Sequence, residues 1–483
     1  TASGGRAMMP LPWVMVFLPW LGALVLLAIP KLRLASALNI AVAAASLVVA
    51  AGLFTLPYGE QGWTRLDALN LPFVALAAFV ALTTSVFSAA TLAAEGFDHW
   101  RIRAYHAAFQ VFLGAQYLAL LADNLGVMWV AIEIATLATV LMVAVHRTPA
   151  AMEAAWKFFM LCSVGIALAL FGTILLYSAA QSLLPSEAGL SWAALRAVAA
   201  RCDAGTLNLA FVFLLVGYGT KAGLVPLHSW LPDAHAEGPI AISAVLSGLL
   251  LNAAMLAILR AKAIIGAHPG TIAAGPFLMA LGLASVLLAA LALWRRRDAR
   301  RFFGWSSIEH MGIAAFAFGI GGPAANLAGL LHMLGHSLVK SGIFFGIGRA
   351  AQQKGSQKIA AISGLISSDP WLGWGLALAI GAIAGLPPFL LFASEFSVLT
   401  AAMAAQPWFA AVLALGMVVA ATALISTLQA LCFGAATPDL PGGPSGLAVL
   451  VPLWLHLAVA VALGLAMPAM LTGMLGMAAG VIG

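Results

Sequence analysis

The stretch Gly217-Tyr-Gly-Thr-Lys221-Ala-Gly-Leu-Val-Pro226-Leu-His228-Ser-Trp-Leu-Pro232-Asp233-Ala-His235-Ala-Glu237-Gly-Pro239 decides the reading of this chain. It places a lysine inside an apolar segment, five residues before a proline that must break the helix. A lysine at the centre of a membrane helix costs about 2.5–3.5 kcal/mol on insertion scales, so it marks function by default. The backbone groups freed at Pro226 need protein or water partners, which implies a polar interior at membrane depth. A buried cation beside a broken helix points to an ion path.

Working outward, the composition is 63% hydrophobic and 8% charged over 483 residues. That excludes an ordinary soluble globule and marks an integral membrane protein. The formal charge of +6 sits in short loops between apolar runs, so it reads as a topology determinant and no nucleic-acid partner is expected. Cys162, Cys202 and Cys432 lack metal or disulfide spacing. No nucleotide-binding glycine motif, catalytic triad, metal site or cofactor site is expected. Thr1–Met9 does not read as a signal peptide, and Met8 and Met9 are candidates for the natural start, between which and Thr1 the sequence does not choose.

Apolar runs of membrane length fall at about 11–30, 36–57, 68–93, 104–122, 124–145, 156–179, 207–230, 240–261, 272–294, 302–321, 323–349, 371–399, 407–433 and 446–476. The expectation is an all-α polytopic protein of about 14 transmembrane helices, forming one membrane domain over 1–483. The longest polar connection, Gln181 to Asp203, has room only for a short amphipathic piece. Loops after odd-numbered helices carry most of the lysine and arginine, including Arg295-Arg-Arg-Asp-Ala-Arg300-Arg301, which reads as an anchor. Loops after even-numbered helices carry only Arg65, Arg196, Arg201, Arg260 and Lys262. By the positive-inside rule the odd loops face the cytoplasm and both termini lie outside.

A second break reads at Gly385-Leu-Pro387-Pro388-Phe-Leu-Leu-Phe-Ala-Ser-Glu395, five helices after the first. Two interrupted segments in corresponding positions point to inverted repeats around an ion site, here 104–261 and 272–433. Few charges remain inside the spans. Glu133 is mid-helix, and Lys221 is its expected partner; the pair is either part of the path or a fixed structural pair. His332, His336 and Lys340 are spaced i, i+4, i+8 and so line one helix face. Imidazoles titrate near neutrality, and buried lysines as a class can approach it, so such a row can relay protons. No third metal ligand is visible beside the row. Glu395 is the expected terminal carboxylate, with Ser394 beside it. Glu309-His310, read at a helix start, is relay or cap. His228, His235, Asp233 and Glu237 are expected in a hydrated turn after the first break, His228 being the best placed for proton exchange.

These motifs resemble the antiporter-like subunits shared by respiratory complex I, Mrp cation/proton antiporters and group 4 membrane-bound hydrogenases. The resemblance rests on Lys221 through Pro239, Arg297-Asp-Ala-Arg-Arg-Phe-Phe-Gly-Trp-Ser-Ser-Ile-Glu-His-Met-Gly312, His332-Met-Leu-Gly-His336-Ser-Leu-Val-Lys340 and Gly385 through Glu395. It is greatest to the hydrogenase-4 component F branch. It implies two inverted five-helix repeats, Glu133 and Lys221 as the first interacting pair, His332, His336 and Lys340 as a central relay, and Glu395 as the exit. Many relatives carry a lysine on the helix after the first break, where this chain has Asn252, so the link from Lys221 to Lys340 is expected to run through water or an Asn252 bridge. The resemblance further implies a bacterial or archaeal cytoplasmic membrane, antiporter-like and small helical partner subunits, and a peripheral redox arm. The ion is a proton, with sodium as the alternative. An Mrp-type antiporter subunit without a redox partner is the alternative function.

Overall fold

The computed structural model describes residues 10–438 and 443–483, so Met8 and Met9 lie outside the described residues. Helices α1 (Leu11–Ala28), α2 (Leu32–Leu53), α3 (Leu71–Thr91), α4 (His99–Leu121), α5 (Leu125–Val143) and α6 (Pro149–Ala180) follow one another through short turns. A small hairpin, β1 (Gly59–Gln61) with β2 (Thr64–Leu66), fills the α2–α3 connection, and α7 (Trp192–Val198) fills the α6–α8 one. The first broken helix is α8 (Ala204–Lys221) with α9 (Trp230–Glu237). Next, α10 (Ile240–Val245), a π turn at Leu246–Leu250 and α11 (Leu251–Ile265) form one continuous helix. After α12 (Ala274–Leu293), α13 (Ala299–Ile320) and α14 (Gly322–Lys354) come a short turn, α15 (Leu365–Ser368), and the second broken helix, α16 (Pro370–Ile383) with α17 (Leu390–Ala405). The chain continues through α18 (Pro407–Cys432), α19 (Leu447–Leu465) and α20 (Ala469–Ile482).

Ten of these are long and apolar enough to span a membrane; α4, α13 and the two broken helices complete the expected 14 crossings. Short polar side chains start many of them. Asp98, Thr148, Asp203, Asp298 and Asp369 each accept a hydrogen bond from a backbone N–H in the first turn of α4, α6, α8, α13 and α16, which satisfies donors that lipid could not. Only the windows in Ile240–Ile265 and Gly322–Lys354 are fully buried, against 33–67% for the other spans. These two helices are therefore the core, and a polar side chain on either cannot face lipid. Close approach is set by small residues: a Cβ on Gly282 would sit 2.6 Å from the Gly312 carbonyl, which lets α12 lie directly against α13.

Both breaks are built the same way. Gly223 and Gly385 have φ of +74° and +75°, a region only glycine enters freely. Each lies three residues before a proline, in Gly223-Leu-Val-Pro226 and Gly385-Leu-Pro-Pro388. Gly223 N–H bonds the Thr220 carbonyl and Leu224 N–H that of Gly219; Gly385 N–H bonds that of Ala382 and Leu386 N–H that of Gly381. This is the Schellman pattern, which closes each half-helix without exposing its last carbonyls.

Three expectations change. The run read as one helix over 446–476 is two, separated at Ala466–Pro468, because Pro468 cannot continue α19. The end of α20 meets Lys262 and Asn326, at the ends of α11 and α14 that lie on the same face as the end of α19. Both its ends are thus on one face, so α20 lies along the molecule and does not cross. Second, Arg260 is buried inside α11, bonded to the Ala122 carbonyl, 3.6 Å from Asp67 and 5.3 Å over the Trp192 ring. Lys262 is also buried, so neither is a loop charge. Third, Arg300 leaves the anchor run: it is buried and donates to the Gly238 and Pro239 carbonyls and to Ser243 Oγ.

Candidate ion-translocation site

The two broken helices run in opposite directions. Residues after Pro226 continue in α9 toward the face of the basic loops, where Asp233 meets Lys157 at 2.5 Å and Arg301 at 3.3 Å and Glu237 meets Arg301 at 3.1 Å. Residues after Pro388 continue in α17 toward the opposite face. His228 therefore stands between Lys221 and the basic face, whereas Glu395 stands between the centre and the other one.

At the first break, Lys221 is fully buried and its Nζ lies 3.2 Å from Glu133 Oε2 on α5. It also donates to Thr136 Oγ1, one turn further along α5. The Glu133 side chain is 19% exposed, so only the carboxylate of the pair can reach outside the protein. His228 packs against Trp305, ring centroids 5.1 Å apart, with Nδ1 buried and unpartnered. His235 does not join a hydrated turn: it is fully buried and stacked 4.4 Å from Phe344, because α9 packs it inward against α14.

At the centre, Lys340 is fully buried and donates to the Phe303 carbonyl at 2.8 Å, with the Phe303 ring 5.5 Å away. Among the described residues no carboxylate lies within ion-pair distance of it. Asn252 follows the π turn, a local unwinding often found at functional positions. It donates to Ser337 Oγ at 2.7 Å and to the Gly248 carbonyl at 3.1 Å. It bonds neither lysine among the described residues, so the expected direct bridge is replaced by a link to α14 through Ser337. Nearby, Ser247 and Ser307 share a hydrogen bond of 2.8 Å between α11's preceding turn and α13.

The row on α14 is not continuous by itself. Among the described residues His332 and His336 share no hydrogen bond, and both ring nitrogens of His336 are unpartnered. A residue from α13 fills the gap. His310 Nδ1 lies 3.1 Å from His332 Nε2, its ring stacks 5.6 Å from that of His336, and Glu395 Oε1 lies 3.9 Å from the same Nδ1. Glu309 lies beside it, its Oε2 3.9 Å from His310 Nε2. Both residues lie about three turns into α13, so neither caps the helix. On the far side, His332 Nδ1 contacts Ser394 Oγ at 3.1 Å. The sequence leaves Glu309-His310 as relay or cap; that His310 joins α13, α14 and α17 is decided by the packing of the helices.

The comparisons agree with this architecture. The family described as "NADH:quinone oxidoreductase/Mrp antiporter, TM" matches residues 122–421. A hydrogenase-4 component F homolog of Methylacidiphilum infernorum is 49% identical over 460 residues, 94% of this chain and 96% of the relative. Among solved structures, a chain of the archaeal membrane-bound sulfane sulfur reductase superposes with a TM-score of 0.88 at 22% identity, covering 98% of this chain and 97% of that one. A chain of the Mrp complex of Dietzia sp. DQ12-45-1b gives 0.86 at 21% identity, with coverage of 98% and 97%. At those identities the two structures speak for the fold. With its family match over more than half the chain and a near full-length relative, this multi-pass membrane protein belongs to the NADH:quinone oxidoreductase/Mrp antiporter transmembrane family.

Proposed function

We propose that this chain is the proton-translocating subunit of a multi-subunit membrane oxidoreductase, of the group 4 hydrogenase or formate hydrogenlyase kind. The observation that carries the reading is the Glu133–Lys221 pair at the first break. A fully buried ammonium depends on its one carboxylate, and that carboxylate sits on a different helix. Two unit charges at 4 Å attract by about 4 kcal/mol at an effective dielectric of 20. Moving one charge across 100 mV takes about 2.3 kcal/mol. Displacing Glu133 therefore removes an attraction larger than the work of moving one charge across 100 mV.

The proton route enters near His228, passes Lys221, and crosses by Asn252 and Ser337 to Lys340. It then passes His336, His310 and His332 and leaves by Glu395. The unpartnered buried atoms along it, including Asn252 Oδ1, both His336 nitrogens, His310 Nε2 and Glu309 Oε2, are groups that internal water satisfies in proteins. The opposed breaks support two inverted repeats over 104–261 and 272–433. The basic loops face the cytoplasm of a bacterial or archaeal cell, and both termini face out. The redox centres belong to partner subunits of a peripheral arm, with sister antiporter-like and small helical subunits alongside. Similarity over 96% of a hydrogenase-4 component F homolog favours this over an Mrp-type subunit without a redox partner.

The test is redox-driven proton uptake by the intact complex in liposomes. Lys221→Ala is expected to abolish uptake while the complex assembles. Unchanged uptake would reduce Lys221 to a packing charge.

A further inference from the structure

Three helices aim one donor atom each at a single point on the exit side of the centre. His310 on α13, His332 on α14 and Glu395 on α17 bring their donors within 4.8 Å of one another. The edges from His310 Nδ1 are 3.1 Å to His332 Nε2 and 3.9 Å to Glu395 Oε1. In a tetrahedral zinc site with bonds of about 2.0–2.1 Å, ligand atoms lie about 3.3–3.4 Å apart. These two edges bracket that value, and the third, between His332 Nε2 and Glu395, is bounded only by the 4.8 Å limit, so closure asks the Glu395 carboxylate to swing in toward both histidines.

The surroundings are also those of a ligand site. Ser394 Oγ lies 2.9 Å from the Leu391 carbonyl and 3.1 Å from His332 Nδ1; when its proton goes to the carbonyl, it accepts from His332 Nδ1–H. In that tautomer the His332 Nε2 lone pair faces His310 Nδ1 and the cluster. His310 Nε2 is buried with Glu309 Oε2 3.9 Å from it, and the Ile383 backbone is the ring's other neighbour on that side of α13. A ligating histidine ordinarily passes its outer N–H to such a carboxylate or hydroxyl. Glu395 as ligand and Glu309 behind His310 place two carboxyl groups around the point where the cation would sit. Access is from the α17 side: the Glu395 side chain is 15% exposed and lies against Gly385, where a Cβ would strike its carboxylate.

We propose that His310, His332 and Glu395 bind a zinc-class divalent cation, oriented by Ser394 and Glu309, and that its binding closes the exit of the path. The sequence offered only the α14 histidines and no third ligand. Binding stands on the geometry alone; closure rests on the proton route proposed above.

The experiment is zinc titration of the purified complex against a chromogenic chelator, with zinc K-edge absorption and proton uptake recorded on the same samples. Wild type is expected to hold one more zinc than His332→Ala or Glu395→Gln, in a nitrogen–oxygen shell at about 2.0–2.1 Å. Ser394→Ala, which removes no ligand, should weaken that zinc by about 10–100-fold. It carries the test if the ligand variants fail to assemble. Zinc that binds and stops uptake supports both parts. Zinc that binds as expected while uptake continues keeps the site and sinks the route through these residues. Equal zinc content and affinity in wild type and Ser394→Ala, or in wild type and the ligand variants, overturns the site.

Discussion

At the scale of single residues, the unequal exposure of Glu133 and Lys221 makes their removal unequal. Lys221→Met leaves a carboxylate that is 19% exposed and can turn outward; Glu133→Ala leaves a fully buried ammonium with only Thr136 to hold it. Removing one partner of a buried pair costs about 3–5 kcal/mol because the other charge is stranded. Glu133→Ala is therefore expected to lower the melting temperature of the solubilised complex, or its yield, well beyond Lys221→Met. Equal losses would mean that the pair contributes only packing. The proton route makes a different demand, since both substitutions should stop uptake whatever they do to stability.

At the scale of elements, the breaks are held by glycines in left-handed conformation. An alanine there costs about 1–2 kcal/mol from backbone sterics alone. Gly223→Ala also brings a Cβ to 3.0 Å from Leu231, and Gly385→Ala drives one into the Glu395 carboxylate. Both should destabilise, and Gly385→Ala should additionally impair uptake in complex that survives. Normal uptake in Gly385→Ala would separate Glu395 from the path. The start of α16 gives a pH test. Burial would raise the Asp369 carboxyl, but hydrogen bonds from Gln353 Nε2, the Ser445 backbone and Leu372 N–H outweigh it and hold it below the ordinary 3.8. Its folded value is lower than its unfolded one, so its contribution is full above about pH 4 and drains away as pH falls through the folded value. Asp369→Ala should lose about 1 kcal/mol of cap stability near neutral pH, with the gap from wild type closing in stronger acid. A gap that does not vary with pH would contradict a charged cap.

At the scale of the whole molecule, the face opposite the basic loops is tied together by buried charge. Asp123 joins Arg65 at 2.6 Å and Ser191 at 2.5 Å, and Arg260 reaches Ala122 and Asp67, so the hairpin, α4, α7 and α11 share one network. Arg260→Met should strand the Asp67 side of this network and lower accumulation of the chain in membranes, measured by quantitative blotting; wild-type levels would show the network dispensable. The proposed topology is checked separately. His99→Cys should react with an impermeant thiol reagent only from the cytoplasmic side, and Glu187→Cys only from the outer side. The reverse pattern would invert the path.

How much was legible beforehand follows from what is local. Hydropathy over twenty residues, glycine and proline at the breaks, and the four-residue spacing of His332, His336 and Lys340 are properties of neighbouring positions, so the sequence alone determined the membrane class, 14 crossings, two interruptions and a polar row on one face. The 446–476 run reads as one helix because the stop at Pro468 lies inside uniformly apolar sequence. What tertiary structure decided is which faces meet. In so apolar a chain a lipid-facing side and a protein-facing side share one hydropathy, so rotation and partner choice are set by close packing at small residues. Only the packed helices brought His310 between α14 and Glu395, turned Asn252 to Ser337, and drew Arg260 and Arg300 out of their loops, because a buried polar group is settled by the partner it reaches in space.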